Sequence, residues 1–251
     1  MASPMTQAQA HTQLQALREQ MLRAYQNEVA EGAFMTELRA GRLPRENLAL
    51  FYRNWCPFVL TINTLGLQVY AKQIHYLKRH WDLLELFAGK ISDEFGYPSP
   101  PGHIRILLST GQALGLTHDE MLYEPPLALA RGLADFQKAV VVGGALADYW
   151  ASVLWEEAMG PWCIDWMNAL TTDYGLSRDD IIYFSAHYEA DVQEHEGKAA
   201  HSSVVHSVLE RMLQDGVADE LSGFGLEYCA VTPLQLLGQM HRACTPQSVK
   251  V

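Results

Sequence analysis

The chain has 251 residues, of which 49% are hydrophobic, so it is long enough to bury a full core. Its formal net charge of −11 argues against nucleic acid or an anionic membrane as a partner, because phosphate binding needs a basic surface. No Gly/Ser-rich or Pro-rich linker divides the chain, which favours a single domain.

The two ends of the chain are predicted to lie outside this domain. Residues 1–13 are polar, lack the apolar core of a signal peptide and are expected to form a flexible leader. The folded domain is predicted over residues 14–243, with a flexible tail over 244–251. No apolar run is long enough to span a bilayer, and the four cysteines are scattered without a C-x-x-C pair. Buried thiols in a reducing cytoplasm are therefore expected.

Apolar residues recur at spacings of three and four along almost the whole chain, as in the first stripe over residues 14–29. Further helices are predicted, in chain order, over 45–73, 76–96, 103–115, 126–140, 144–175, 177–216 and 218–243. The short run AVVVGG at 139–144 is interpreted as a helix end rather than a strand. The sequence predicts an all-α fold, a bundle of seven or eight helices around one core.

The first polar groups that could carry chemistry are Glu94, which closes one predicted helix, and His103, which opens the next. On a continuous helix they would lie about 180° apart and could not share a ligand. The intervening YPSPPG at 97–102 breaks the helix, so the chain can return and place His103 near Glu94.

The second group is the pair Glu156 and Glu157, which lies in an apolar segment between Trp155 and Trp162. One of the two carboxylates is expected to point inward. A buried carboxylate is costly unless it is paired or bound to a metal ion.

The third group lies in the predicted helix 177–216, which is rich in histidine. At 100° per residue, Asp191 lies about 40° from His187, His195 about 80° from it, and Glu194 about 20° to the other side. This is the spacing at which side chains of adjacent turns converge on iron, manganese or zinc. His201 would lie roughly 20 Å from His187 along a continuous helix and is expected at the pocket rim or at a helix end rather than on the metal.

Three helices thus offer inward carboxylates and imidazoles, which in an all-α bundle is how a dinuclear carboxylate-bridged metal site is built. The sequence contains no Ser-His-Asp order, glycine-rich phosphate loop or ferritin-type Glu-x-x-His pair that would favour another chemistry. A non-catalytic metal-binding bundle is less favoured, because structural metals usually use compact thiolate or histidine clusters.

The order of these candidate ligands along the chain resembles that in the haem-oxygenase-like non-haem diiron oxidases and oxygenases. Their superfamily includes pyrroloquinoline-quinone synthase and the TenA thiaminases. Segment 34–55 also looks like the superfamily's second-helix region, and the likeness covers most of residues 15–215. The resemblance implies a haem-oxygenase-like bundle and a set of metal ligands consisting of Glu94, His103, Glu156, His187, Asp191 and His195.

Two ligand choices rest on this resemblance. Glu156 is preferred over Glu157 because its E-x-A-x-G-x-W context is similar to that of the fatty-acid member. His195 is preferred over Glu194, although the interval after Asp191 varies among relatives. The N-oxygenating relatives carry an extra glutamate on an early helix, and its absence from 58–70 lowers the case for N-oxygenation.

The resemblance implies two Fe(II) ions, or a manganese–iron pair, with O2 as co-substrate and with Glu94, Glu156 and His187 as catalytic residues. Oxidative C–C cleavage or desaturation of an amino acid in natural-product biosynthesis is the expected activity. A fatty-acid oxidative decarboxylase is the alternative, as is a metal-free enzyme similar to pyrroloquinoline-quinone synthase or TenA, for which Cys163 is a candidate nucleophile.

The expected partner is a small-molecule substrate with an apolar or aromatic part, and a homodimer is compatible with the resemblance. Aromatic side chains are available to line a pocket for that part of the substrate, namely Trp55, Phe58, Tyr149, Trp150, Trp155 and Tyr183.

Overall fold

The computed structural model describes residues 3–194, 197–217 and 223–246, and this part of the chain is helical and contains no β-strand. The first half consists of α1 (Gln7–Ala24), a π-helical turn (Tyr25–Ala30), α2 (Ala33–Arg39), α3 (Arg45–Leu77), α4 (Trp81–Gly96), α5 (His103–Ala113) and α6 (His118–Leu122). The second half consists of α7 (Ala128–Gly143), α8 (Leu146–Ser152), a 3-10 turn (Leu154–Ala158), α9 (Met159–Thr172), α10 (Ile182–Val192), α11 (His201–Gln214) and α12 (Leu226–Cys244). The all-α class is confirmed.

The helical domain extends further at both ends than the sequence pattern predicts. Helix α1 begins at Gln7 because Thr6 and Gln9 form a capping box, and Ala10 is fully buried. At the other end, α12 continues to Cys244, which is also buried. The first helix thus begins before the predicted limit at residue 14, and the last one ends one residue after the predicted limit at residue 243, since an end of polar composition can still be helical when a cap satisfies its first amides.

The longest helix, α3, organises the bundle. It packs against α7 and α4, while α10 packs against α9 and α12 packs against α1 and α8. Aromatic side chains fill the space between these helices, and Phe51 contacts Trp55, Trp162 and Trp166 at centroid distances of 5.2–6.2 Å. These rings link α3 to α9 and are buried, so polar groups beside them need partners within the protein.

Two predicted helices are each divided in the structure. The segment 144–175 contains α8, the 3-10 turn and α9, and the segment 177–216 contains α10, which ends at Val192, and α11, which begins at His201. Both divisions lie next to polar residues that the sequence indicates as candidate metal ligands. None of the helices in the described ranges is both long enough and apolar enough to cross a membrane.

Candidate metal centre

Glu94 and His103 meet at the break between α4 and α5. His103 is fully buried, and its Nδ1 lies 2.9 Å from Oε2 of Glu94. The chain turns back toward Glu94 at Gly102, a position that requires glycine. Its φ of 71° is left-handed, and a Cβ there would lie 2.3 Å from the carbonyl oxygen of Glu94. Neither the backbone angle nor the space admits a side chain. The structure thus places His103 beside Glu94, as the break in the sequence predicts.

Alanine at Gly102 is expected to destabilise the protein by about 3 kcal/mol, because left-handed strain adds to an overlap with the backbone of Glu94. Gly175→Ala is the matched control, since its φ is 68° and no described atom lies within 4 Å of the added Cβ. That control should lose only about 1 kcal/mol. Urea unfolding of both variants measures the difference, and equal losses would contradict the close approach.

The second ring nitrogen of His103 is also buried and is available to bind a ligand. Its Nε2 has no hydrogen-bond partner among the described residues although it is inaccessible to solvent. The ring centroid of His103 lies 4.3 Å from that of His187. Buried polar atoms are normally satisfied, and a metal ion bound to Nε2 would satisfy this one. The donor chemistry of this position therefore fits a metal.

His187 and Asp191 lie one turn apart on α10, where Asp191 is buried and His187 is half-buried. Nδ1 of His187 lies 2.9 Å from the carbonyl oxygen of Tyr183, so Nδ1–H donates and Nε2 is left for a ligand. Burial, and then the neighbouring His103, lower the pKa of His187 to about 4. The imidazole is therefore neutral at physiological pH, as a metal ligand must be.

The choice between Glu156 and Glu157 follows from the 3-10 turn that carries both, because successive residues of such a turn point about 120° apart. Glu157 accepts a hydrogen bond of 2.8 Å from Nε of Arg18 and lies 3.2 Å from Nε2 of His206. Burial raises the pKa of Glu157, but Arg18 and His206 outweigh it and bring the pKa to about 2. Glu156 instead lines the central pocket and accepts from Nζ of Lys90 at 2.9 Å on each oxygen.

His201 lies at a helix end, one of the two positions that the sequence predicts, but its ring joins this cluster, which the sequence does not predict. Helix α10 ends at Val192, and His201 opens α11 with its ring only 1% exposed. Its Nδ1 lies 3.1 Å from Oδ1 of Asp191, and its Nε2 lies 3.2 Å from Oδ2 of Asp93. Burial and Lys90 lower the pKa of His201, but the hydrogen bonds with Asp191 and Asp93 raise it to about 9. A charged His201 would have to lose a proton before binding a metal ion.

The predicted ligand His195 lies outside the described residues, and its alternative Glu194 follows the end of α10 with an exposed side chain. The sequence signal for the break is Gly197, whose φ of 75° is left-handed. The sequence predicts one continuous helix over 177–216. That prediction does not include this break, so it does not bring His201 close to Asp191.

The site residues form two adjacent groups of three. The first group combines one carboxylate with two imidazoles and consists of Glu94, His103 and His187. In the second group, one ligand atom from each residue lies within 4.8 Å of the others, and its members are Glu156, Asp191 and His201. Mixed carboxylate and imidazole donors suit iron, manganese or zinc. The second group is therefore close enough to hold one metal ion, and the first group lies beside it with Nε2 of His103 left for a ligand.

A pocket adjoins both groups. Its aromatic wall includes Trp55, Phe58, Trp155, Trp162 and Tyr183. Trp55 Nε1 donates to the hydroxyl of Tyr183 at 2.8 Å, which fixes two of these rings. The pocket therefore presents an apolar wall opposite the metal-ligating side chains.

Two other aromatic residues that the sequence predicts for the pocket lie elsewhere. Trp150 is a core residue whose Nε1 donates to Gln73 at 2.8 Å. Tyr149 lines a smaller neighbouring cavity together with Lys90. Helical spacing alone does not distinguish a pocket wall from a core, because both are apolar faces.

Comparison with known proteins agrees with this arrangement. The sequence profile of a family described as iron-containing redox enzymes matches residues 81–222, more than half of the chain, and this range contains both groups of candidate ligands. No curated protein matches the sequence significantly.

Several solved structures share the fold at low sequence identity. A TenA homologue from Pseudomonas syringae pv. tomato has a TM-score of 0.70 at 13% identity, covering 92% of this chain and 91% of that chain. A TenA family transcription regulator from a Silicibacter species has a TM-score of 0.66 at 18% identity, covering 94% and 97%. A domain with a heme oxygenase-like fold from Shewanella denitrificans has a TM-score of 0.63 at 14% identity, covering 96% and 93%. The fold is therefore haem-oxygenase-like.

Proposed function

The chain belongs to the family of iron-containing redox enzymes, and on that premise we propose that it is a non-haem diiron oxidase or oxygenase that uses O2. The observation that carries the proposal is the pair of adjacent donor groups on one aromatic pocket. Fe(II) ions, when bound there, would supply the electrons that reduce O2.

The proposed ligands of one ion are Glu94, His103 and His187, and those of the other are Glu156, Asp191 and His201. His201 takes the place that the sequence assigned to His195. Glu94 and Glu156 belong to different groups and line the same pocket, and each would supply an anionic donor to the metal. Iron and a manganese–iron pair are both compatible with these donors.

The side chains around the centre orient the proposed metal ligands and exclude water from the pocket. The Tyr183 carbonyl orients His187, and Asp93 holds His201 through the nitrogen that faces away from Asp191. The indole and phenyl wall excludes water from the reacting atoms, which protects reactive species from side reactions. The protein thus supplies oriented ligands, a neutral His187 and an apolar pocket wall.

The substrate that fits best is an amino acid, or a compound derived from one, with an apolar or aromatic side chain. The apolar wall would hold that side chain, and the polar head group would face the metal ligands. Oxidative C–C cleavage or desaturation is the proposed reaction. A fatty acid is the second candidate because its chain would also be held by an apolar wall.

A metal-free hydrolase is less well supported. Its candidate nucleophile, Cys163, lines the pocket, but burial and then the nearby Asp191 raise the pKa of this thiol well above its ordinary value. The thiolate is the reactive form, so a thiol held protonated is a poor nucleophile. Cys56, Cys163 and Cys229 are buried free thiols, which supports our proposal that the protein works in a reducing cytoplasm.

Anaerobic loading with excess Fe(II), followed by desalting into metal-free buffer and addition of O2, tests the proposal. We expect iron to be retained and an O2-dependent charge-transfer absorption band to appear. His187→Ala should lower O2 consumption by about 100-fold or more, because a ligand of one ion is lost. Iron content, ultraviolet-visible spectra and an oxygen electrode provide the readouts.

A panel of amino acids and fatty acids then identifies the class of substrate through stimulated O2 consumption. Circular dichroism of His187→Ala separates loss of chemistry from loss of fold. Failure of the wild-type protein to take up iron, together with unchanged behaviour of the variant, would overturn the proposal.

A further inference from the structure

A small cavity between α3 and α4 adjoins the candidate centre and has no role in the proposed chemistry. It shares four wall residues with the aromatic pocket, namely Ile62, Asn63, Glu94 and Glu156. The rest of its wall is apolar except for Lys90 and Tyr149. Its apolar residue Phe95 is 36% exposed, whereas Lys90 and Tyr149 are buried. The cavity therefore leads from an apolar rim at the protein surface to a polar inner end beside the centre.

Lys90 places a cation with a spare donor in the wall of this cavity. It is 7% exposed, and its Nζ lies 2.9 Å from each carboxylate oxygen of Glu156. An ammonium group has three N–H donors, and the described residues provide no acceptor for the third one. Burying an unused donor is costly unless a ligand accepts from it. An anion that enters the cavity could therefore bind Lys90 while the contact with Glu156 is kept.

Tyr149 supplies a second donor in the same wall. It is 4% exposed, and the hydrogen bonds formed among the described residues include none with its hydroxyl group. Burial raises the pKa of Tyr149, while the nearby Lys90 lowers it in part, and the pKa stays above its ordinary value. The hydroxyl is therefore protonated at neutral pH and can donate a hydrogen bond. Together the ammonium and hydroxyl groups form a pair of donors suited to the two oxygens of a carboxylate.

The charges of the whole centre also favour an anion once metal is bound. The described residues contribute four buried or half-buried carboxylates, those of Asp93, Glu94, Glu156 and Asp191, and two ammonium groups, those of Lys90 and Lys198. Without metal, the negative charges outnumber the positive ones even when His201 is protonated. With two divalent cations bound and His201 neutral as a ligand, positive charge is in excess. A buried site attracts an anion under that condition more strongly than water would allow.

We propose that the small cavity is a carboxylate-binding subsite, in which Lys90 and Tyr149 hold the carboxylate of the substrate. The inference rests on the proposed function and narrows the substrate to a carboxylic acid with an apolar part. Because the small cavity and the aromatic pocket share Glu94 and Glu156, the carbon atoms next to the carboxylate lie beside the proposed metal ligands. The apolar part then lies against the aromatic wall. Lys90 and Tyr149 are thus specificity-determining residues.

Calorimetric titration of Mn(II)-loaded protein tests this without any enzymatic turnover. The probes are 3-phenylpropanoate and decanoate, which combine a carboxylate with an aromatic or an aliphatic part, and the neutral 3-phenylpropanamide. We expect at least one of the two carboxylates to bind the wild-type protein. Lys90→Met should bind that carboxylate about tenfold or more weakly, because a charge-assisted hydrogen bond is lost. The amide should bind the wild-type protein weakly, and Lys90→Met should not weaken its binding further.

Three further variants separate the proposed contact from other effects. Lys90→Arg keeps the positive charge and should restore most of the carboxylate affinity. Lys138→Met removes an exposed lysine that contacts Asp135 and should leave the affinity unchanged. Tyr149→Phe removes only a hydroxyl group and should weaken carboxylate binding about threefold or more, so it tests the subsite even if Lys90→Met folds poorly. Electron paramagnetic resonance measures the Mn(II) content of each variant, and circular dichroism its fold.

The outcomes distinguish this inference from the proposed function. Unchanged carboxylate affinity in Mn(II)-loaded Lys90→Met or Tyr149→Phe, or no binding of either carboxylate by the loaded wild-type protein, overturns the subsite and leaves the metal centre intact. Equal losses of amide and carboxylate affinity in Lys90→Met also overturn it, because the effect is then not specific to the carboxylate. Lack of Mn(II) binding by the wild-type protein and every variant overturns both proposals.

Discussion

Replacing Glu156 by glutamine is expected to lower O2-dependent turnover by about 1,000-fold or more, because an anionic ligand shared with the second metal position is lost. Glutamine preserves the shape of the side chain and leaves one carbonyl oxygen as an acceptor for Lys90. Circular dichroism should therefore show an intact helical fold. The measurement is O2 consumption after Fe(II) loading, together with iron per chain.

Glu157→Gln provides the matched control, because it removes the neighbouring carboxylate that contacts Arg18 and His206 instead of the pocket. Its turnover should stay within about twofold of wild type, while its stability falls by about 1–2 kcal/mol at neutral pH. Retained turnover in Glu156→Gln with loss in Glu157→Gln would reverse the assignment.

The stability effect of Glu157 has a defined dependence on pH. Its folded pKa of about 2 lies below the ordinary value of 4.5, so the ionised form is stabilised by folding. The contribution is present above pH 4.5 and is lost as the pH falls toward 2. The difference in unfolding free energy between wild-type protein and Glu157→Gln should shrink across this window. A difference that is constant with pH would contradict the ion pair.

Replacing His201 by alanine is expected to weaken metal binding in the second position by about 100-fold or more and to abolish most O2 consumption. The reason is geometric, since the His201 ring lies between Asp191 and Asp93 at 3.1 and 3.2 Å. Removing it also leaves two carboxylates facing each other without the intervening ring. Mn(II) titration and O2 consumption measure the two effects.

His206→Ala is the matched control for His201, because it lies on the same helix but contacts Glu157 at 3.2 Å. It should keep Mn(II) affinity and turnover near wild type. Normal metal binding by His201→Ala would return the assignment to the sequence-predicted ligand His195, and a His195→Ala variant would then be expected to lose the second ion.

Much of the fold and part of the site could be predicted from sequence. The apolar spacing of three and four predicts helices because it repeats the period of the α-helix. The Pro-rich break at 97–102 and the histidine at its end predict the pairing of Glu94 with His103, which lie 2.9 Å apart. The spacing of His187 and Asp191 also predicts a shared face, since both lie within the continuous helix α10.

Three features were decided only by the tertiary structure. His201 reaches Asp191 because the chain leaves the helix after Val192 and returns, whereas angular spacing is valid only along an unbroken helix. Glu156, and not Glu157, faces the pocket because Arg18 from a distant helix binds its neighbour. Lys90 meets Glu156 across 66 residues of sequence. The sequence by itself determined which groups could bind metal, but contacts between distant helices decided which of them converge, because local periodicity carries no information about them.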